Sequence, residues 1–317
     1  MEFFATCARG VEEILAGELI GLGMTGVSVG RGGVGFSGEM PDCRRANLWL
    51  RTANRVMVPL ATFPCDSPQS LYDGVRGVPW HKYLTPSMTL AVDCNLRDSS
   101  LTHSHTTALK AKDAIVDSIR DRFGSRSSVD TKDPDLRINI HLLKNRCTVS
   151  LDSSGTPLDR RGYRTERNEA PLRETLAAAI ILATGWDCTV PLSDPLCGSG
   201  TLLIEAALIA SRRAPGIGRS FGFERWPYFD LTEWKGELAI AQAHALKKLP
   251  VQILGSDSDG RTIATARRNA ERAGVRDQIA LTRHDLTDFN PPPGAGVIVC
   301  NPPYGERMGD MEQLKPF

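Results

Sequence analysis

The order of apolar runs and turns predicts an α+β first half followed by an α/β, doubly wound second half. Three observations carry this division. Up to about residue 157 strand candidates pair as hairpins, and a strand–helix–strand–strand–helix–strand order starts at Phe3. From about Glu166 single strands alternate with helices, the pattern of a parallel sheet. A Gly-rich turn, Asp194-Pro-Leu-Cys-Gly-Ser-Gly-Thr201, then joins a strand directly to a helix. With 317 residues there is room for two ordinary domains or three small ones.

The first half is read element by element. Phe3–Thr6 is a strand; Val11–Leu22 is a helix with Val11, Ile14, Leu15, Leu19 and Leu22 at helical spacing, stopped by Gly23. Val27–Val29 and Val34–Phe36 alternate around the turn 30–33, Arg44–Ala53 reads as a helix and Val56–Phe63 as extended. That is the ferredoxin-like split βαβ plan, over residues 1–63. A second unit, 64–157, holds the strand Met88–Cys94, the helix His105–Arg122, and a hairpin of Leu136–Leu142 with Cys147–Leu151.

The second half, 158–317, begins with a helix Glu169–Ala183 carrying Pro171 in its first turn. Strands follow at Pro191–Asp194, Val251–Ser256, Ile279–Arg283 and Gly296–Cys300, and helices at Thr201–Arg212 and Gly260–Ala273. Between them Ala214–Lys235, with Trp226, Tyr228 and Trp234, reads as a long loop on one face.

Composition narrows the class. Lys and Arg number 38 against 37 Asp and Glu, 41% of residues are hydrophobic and 24% charged, which excludes disorder, a collagen-like chain and a coiled-coil rod. The most apolar stretches, Leu176–Ala183 and Thr201–Ala210, are too short to span a bilayer, and Phe3–Ala8 between Glu2 and Arg9 is no secretory signal. No membrane partner is expected. The eight cysteines include no CxxC pair and read as buried thiols of a reducing compartment, so a cytoplasmic location is expected. His103 and His105 have no carboxylate or Cys cluster beside them, and no metal site is expected. Residues 1–165 hold 21 Lys/Arg against 18 Asp/Glu, the remainder 17 against 19, so the small basic excess lies in the first half.

Four positions fall at the C-terminal ends of predicted strands, where α/β sheets bind ligands. In the Gly-rich turn, Gly198 and Gly200 let a ligand approach the backbone at a helix N-terminus; alone, such a turn equally serves to pack helix on strand. Asp257 can take two ribose hydroxyls, while Asp259 suits the cap of the next helix. Asp285 can accept from an adenine amino group or lie solvated in a loop. No P-loop pattern is present, so adenosine without phosphate cradling fits S-adenosylmethionine better than NAD. The strand Val297–Cys300 then delivers Asn301-Pro302-Pro303-Tyr304 to the same edge. Asn301 supplies a side-chain acceptor and Pro302 a main-chain one, the prolines stiffening their aim, and Tyr304 can stack on a base. Cys197 and Cys300 border this site without a nearby base in sequence, and both read as packing residues.

Asp194–Thr201, Asp257, Asp285 and Asn301–Tyr304 resemble motifs I to IV of class I S-adenosylmethionine-dependent amino-methyltransferases. Asp159-Arg-Arg-Gly-Tyr-Arg164, Ala170–Ile180, Gly255–Asp259, Asn301–Arg307 and the early run Phe4–Glu13 are similar to the RlmL-type 23S rRNA guanine-N2 methyltransferases, over essentially the whole chain. The resemblance implies a ferredoxin-like segment and an RNA-binding THUMP domain, then a Rossmann-like class I methyltransferase domain. By position, it implies Asp194, Cys197, Gly198, Ser199, Gly200 and Thr201 on the methionine side of S-adenosyl-L-methionine, Asp257 at the ribose and Asp285 at the adenine. Asn301 and Pro302 would grip the guanine amine with Tyr304 stacking, on 23S rRNA or a large-subunit precursor rather than DNA.

Arg160, Arg161, Arg164 and Arg167 can track RNA phosphates between the halves, or Arg161 and Arg164 brace the domain junction by salt bridges, and Lys132, Arg137, Lys144 and Arg146 form a THUMP-side basic patch or a solvated face. The family has further strands after the Asn301 strand, whereas this chain ends at Phe317. The sheet is therefore expected to be incomplete with that strand at its edge, and the chain to be a truncated form with methylation weak or absent. The competing expectations are an RNA-binding fragment without catalysis and an adenine-N6 nucleic-acid methyltransferase.

Overall fold

The computed structural model describes residues 1–164 and 172–302. The chain divides into two compact units, one of Met1–Asp159 with Pro215–Gln242, the other of Arg160–Ala214 with the chain from Ala243 onward.

The first unit opens with β1 (Glu2–Thr6), α1 (Glu12–Gly21), β2 (Thr25–Gly30), β3 (Gly33–Ser37), α2 (Met40–Trp49) and β4 (Arg55–Pro64), the order the sequence predicts. It continues with α3 (Pro68–Arg76), β5 (Thr89–Arg97), α4 (Ser104–Phe123), β6 (Ser128–Val129), β7 (Leu136–Leu143) and β8 (Arg146–Asp152). Apolar residues on one side of each element bury together: Phe3 stacks on Phe36 at 5.1 Å across β1 and β3, and Ile138, Ile140 and Leu142 alternate inward along β7.

The sequence expectation of separate modules at 1–63 and 64–157 misses how they join. β4 pairs antiparallel with β8 from Met57↔Asp152 to Pro64↔Arg146, so one eight-stranded sheet runs β2-β3-β1-β4-β8-β7-β5-β6. A ladder slip between Pro59 and Ala61 accommodates a proline in this inner strand. Pairing removes what would otherwise be two exposed sheet edges.

Two helices depart from expectation because caps outrank apolar spacing. α2 starts at Met40 rather than Arg44, where Glu39 and Asp42 form a reciprocal capping box ahead of Pro41. α3, unforeseen, starts where Ser67 accepts from the Ser70 N–H with Pro68 following.

The second unit contains α5 (Glu174–Ala183), β9 (Leu192–Asp194) and α6 (Thr201–Ala210). α5 starts later than the expected Glu169, and Pro171 lies outside the described residues. The chain then leaves this unit. Ala214–Lys235, expected as a loop within a continuous 158–317 domain, instead carries a short helical turn at Gly222–Arg225 and the start of α7 (Leu231–Ala243), packed in the first unit. Phe221 and Phe223 stack at 5.2 Å with Trp234 edge-on to both, and Arg44 of α2 pairs with Glu233 and Glu237 at 2.8 and 2.7 Å. Burying three aromatic rings there outweighs the polar, Gly-containing composition that suggests a loop.

The chain returns with β10 (Ile253–Asp257), α8 (Gly260–Arg272), β11 (Ala280–Arg283) and β12 (Val297–Ile298). The sheet is parallel with order β11-β10-β9-β12, so β12 lies at the edge of the described sheet. Leu203 of α6 rests against Gly255, where any Cβ would collide with it. Among the described residues no helix is long and apolar enough to cross a membrane.

Candidate functional site

The site forms where β9, β10 and the segment after β12 end on one edge of the parallel sheet. The turn after β9 is held at four points. Leu196 N–H donates to Asp194 Oδ1 at 3.1 Å and Cys197 N–H to the Ser256 carbonyl at 2.9 Å. Gly198 N–H donates to Asp257 Oδ2 at 3.0 Å, and the Asn269 amide donates to the Ser199 carbonyl at 3.1 Å. Gly198 and Gly200 take φ of +53° and +83°, the left-handed region that favours glycine. At Gly200 a Cβ would press on Ala266 at 3.1 Å, so this glycine lets α6 meet α8; at Gly198 a Cβ would meet nothing within 4 Å, leaving room for a ligand. Gly200 also caps α6, whose first-turn N–H groups lack partners within the helix.

Two carboxylates face this turn. Asp194 is 1% exposed, and burial raises its carboxyl to about 7, with the nearby Asp257 charge adding to the rise. Asp257 is half-buried; its Oδ1 accepts from Asp259 N–H at 3.0 Å and its Oδ2 from Gly198, so each oxygen retains a second lone pair for a ligand hydroxyl. Asp259 accepts from Arg261 N–H at 2.8 Å and is the α8 cap the sequence indicates. Asp285 is exposed at the end of the neighbouring strand. Its Oδ1 accepts from the Thr287 N–H and hydroxyl at 3.1 and 3.0 Å, and these bonds hold its carboxyl below the usual range.

Val299 N–H donates to the Ser193 carbonyl at 2.9 Å, extending the pairing past β12 and bringing the chain out beside Asp194. Asn301 and Pro302 follow, both exposed; Tyr304 lies outside the described residues. Cys197 is buried and its thiol is pushed up by burial and by both carboxylates. Cys300, expected to be a packing residue, is exposed and follows β12 at the edge of the described sheet. Its thiol too is raised, by partial burial and then by the Asp194 charge, so neither cysteine is disposed to be a thiolate.

The arginine cluster requires a correction. Arg161, weighed as a phosphate contact, is 6% exposed, and its guanidinium lies 3.6 Å from Glu205, which is fully buried in α6. Arg164 donates to Thr201 Oγ1 at 2.5 Å and to the Leu172 carbonyl at 3.1 Å, and lies 3.8 Å from Glu174. Tyr163 adds a hydroxyl bond to Glu205 at 3.1 Å. Arg161 and Arg164 thus brace the unit from inside, and the Thr201 hydroxyl accepts from that brace. Arg160 is exposed, and Arg167 lies outside the described residues. Of the basic residues in the first unit, Arg137 pairs with Asp93 at 3.0 Å, while Lys132, Lys144 and Arg146 are exposed.

Sequence reasoning missed Asn269 and the Glu205 network. Asn269 is 1% exposed, in a helix whose other buried positions are Ile263, Thr265, Ala266 and Ala270; that an amide shared the face of Ile263, Ala266 and Ala270 was the available signal. Glu205 interrupts an otherwise apolar run, which calls for a buried cation partner. Among the described residues no group of His, Cys, Asp and Glu is disposed to hold a metal ion. The two carboxylates flanking this turn favour a cationic nucleoside over a phosphorylated one.

Residues 2–57 match the RlmL ferredoxin-like domain, 65–152 the THUMP domain and 161–317 the RMKL-like methyltransferase domain. A candidate RNA methyltransferase of Synechocystis sp. is 44% identical over 99% of this chain and 82% of its own length. The ribosomal RNA large subunit methyltransferase K/L of Syntrophotalea carbinolica is also 44% identical over 99% of this chain, which spans only 46% of that protein. The crystal structure of SMU.472, a candidate methyltransferase complexed with SAH, superposes with a TM-score of 0.90 at 35% identity, covering 99% of this chain and 83% of that one. The chain belongs to the family of RlmL-like methyltransferases, in which a ferredoxin-like domain, a THUMP domain and an RMKL-like methyltransferase domain follow one another.

Proposed function

We propose that the chain transfers a methyl group from S-adenosyl-L-methionine to the exocyclic N2 amine of a guanine in 23S rRNA, with the RNA presented by the THUMP domain. The observation that carries this reading is the convergence of Asp194, Asp257 and Asn301–Pro302 on one sheet edge around an open Gly198. When bound, the cofactor supplies an electrophilic methyl on a positively charged sulfur. Asp257 would take the ribose hydroxyls on its remaining lone pairs while bracing Gly198. Asp194 and the turn Cys197–Thr201 would face the methionine end, and Asp285, with one carboxylate oxygen engaged by Thr287, would offer the other to the adenine.

The guanine amine lone pair is delocalised into its ring, so the site must orient that nitrogen rather than deprotonate it. Asn301 Oδ1 and the Pro302 carbonyl can each accept one amine N–H, turning the nitrogen lone pair toward the methyl; such positioning contributes several kcal/mol. Tyr304 would stack on the base. A base must leave its helix to enter, at a cost of a few kcal/mol that is smallest in a loop or bulge. An rRNA substrate would fit a cytoplasmic location.

Two measurements test the reading. Calorimetry of S-adenosyl-L-methionine on this chain should show binding that Asp257→Ala weakens; no binding to the folded parent chain overturns the cofactor site. Labelled methyl transfer should favour unmodified 23S rRNA over DNA and fall about a hundred-fold or more in Asn301→Ala with cofactor affinity kept. Transfer to adenine in DNA instead would replace the guanine assignment with adenine-N6 methylation.

A further inference from the structure

The first unit contains a cavity of about 230 Å³ that plays no part in the site above. Its floor includes Val58 of β4 and Leu151 of β8, partners across the seam where the two modules share their sheet. α2 contributes Arg44, the segment after α3 contributes Lys82 and Tyr83, and the inserted segment contributes Trp226, Tyr228 and Phe229. The inserted wall is anchored: Phe223 N–H donates to the Ser153 carbonyl at 3.0 Å and Arg225 pairs with Asp133 at 2.8 Å.

Three properties of this cavity point to a ligand. Tyr228 is 93% exposed and held at φ +69°, so a strained backbone keeps an aromatic ring in solvent. The Trp226 indole N–H is buried with no hydrogen-bond partner, a cost that folding alone does not explain. The cations are unequal: Arg44 is neutralised by Glu233 and Glu237, while Lys82 is exposed and has no ion pair among the described residues. The volume is below the roughly 300–1,000 Å³ of sites for drug-sized molecules and suits one ring system.

We propose that this cavity holds one unpaired base of the RNA, stacked on Tyr228, with the adjoining phosphate on Lys82. Aromatic faces accept any base, and one unpaired lysine matches one phosphate. The assignment rests on the RNA reading of the protein's function and adds a base-holding position in the unit that does not carry the methyl-transfer motifs. It also gives the aromatic inserted segment a task beyond packing.

The test uses the whole chain, a fluorescently labelled oligoadenylate of ten nucleotides and a blunt RNA duplex. Tyr228→Ala should weaken decamer binding roughly ten-fold and Tyr228→Trp should restore it, with thermal stability and duplex binding unchanged. Lys82→Ala should weaken decamer binding about three-fold and lower the salt slope by about 0.7. Decamer affinity unchanged in Tyr228→Ala, or lost equally for the duplex, overturns the proposal. So does a dimer that Tyr228→Ala dissolves, which would give the cavity to a second copy of the chain. Methyl transfer to rRNA, followed alongside, separates the two readings. If transfer is intact and Tyr228→Ala binds like the parent, only the cavity assignment falls. If the parent transfers no methyl group but Tyr228→Ala still loses the decamer, the cavity stands and the catalytic reading falls.

Discussion

Asp152 and Asp194 occupy equivalent positions in the two units, each the last residue of an inner strand, and they are 2% and 1% exposed. Burial raises the carboxyl of both. Their partners differ. Asp152 accepts from the Arg55 guanidinium and from the N–H groups of Ser154 and Gly155 at 3.0 and 3.2 Å, and Arg55 also donates to the Gly155 carbonyl at 2.7 Å. Asp194 accepts one N–H, from Leu196, and its nearest charge is another carboxylate, Asp257. A buried carboxylate given a cation and a full set of donors is a brace. One given neither keeps acceptor capacity that the fold does not use, the property the proposed cofactor site would exploit.

That contrast can be broken most directly at the brace. Asp152→Ala leaves Arg55 and two N–H groups without their acceptor and should cost about 3 kcal/mol or more in urea unfolding followed by circular dichroism. A loss under about 1 kcal/mol would show the cluster to be dispensable. At the proposed cofactor site, Asp257→Ala should weaken cofactor binding by about 2 kcal/mol, roughly thirty-fold by calorimetry. The same change should cost folding stability far less than Asp152→Ala.

Asp194→Asn sharpens the comparison through pH. The folded Asp194 carboxyl titrates near 7, above the value of about 4 expected in the unfolded chain, so the folded state retains a proton that the unfolded state releases. Its stabilisation is present below about pH 4, declines as pH rises, and is lost above pH 7. Asp194→Asn should therefore be more stable than the parent at pH 8 and equal to it near pH 4. Equal stability at both pH values would mean that Asp194 is solvated after all. Cofactor affinity of the parent should fall as pH drops below 7, because protonation removes the charge a cationic ligand meets.

The smallest effect is expected at Asn269. Removing its bond to the Ser199 carbonyl should cost about 1 kcal/mol, seen as a roughly five-fold rise in cofactor KM with kcat unchanged. A fall in kcat instead would place Asn269 in the chemistry rather than in positioning the turn.

Much of the candidate site was legible because its residues sit at strand ends, and a strand end can be read from local pattern. The Asp194 turn, Asp257 and the Asp259 cap all lie where short apolar strands stop. The arginines were not legible in the same way. Arg161 and Arg164 show their charge in the sequence but not their direction, and it is Glu205 and Glu174 from other helices that draw them inward. The inserted segment misled for a related reason: its glycines and prolines argue for a loop, while Phe221, Phe223 and Trp234 find a shared core only once the first unit has formed.

By itself the amino-acid sequence determined the order of the principal strands and helices in both halves, α3, β6 and α7 apart, together with the parallel character of the second sheet and the chemical types at its candidate ligand-binding edge. Periodicity, caps and turn residues act over a few neighbours, and those interactions are written in consecutive residues. Tertiary structure alone decided that β4 and β8 fuse two modules into one sheet and that residues 215–242 belong to the first unit. It also decided that Asp152 is neutralised while Asp194 is not. Each depends on partners far away in the chain, which become neighbours only when burial of apolar surface brings them together.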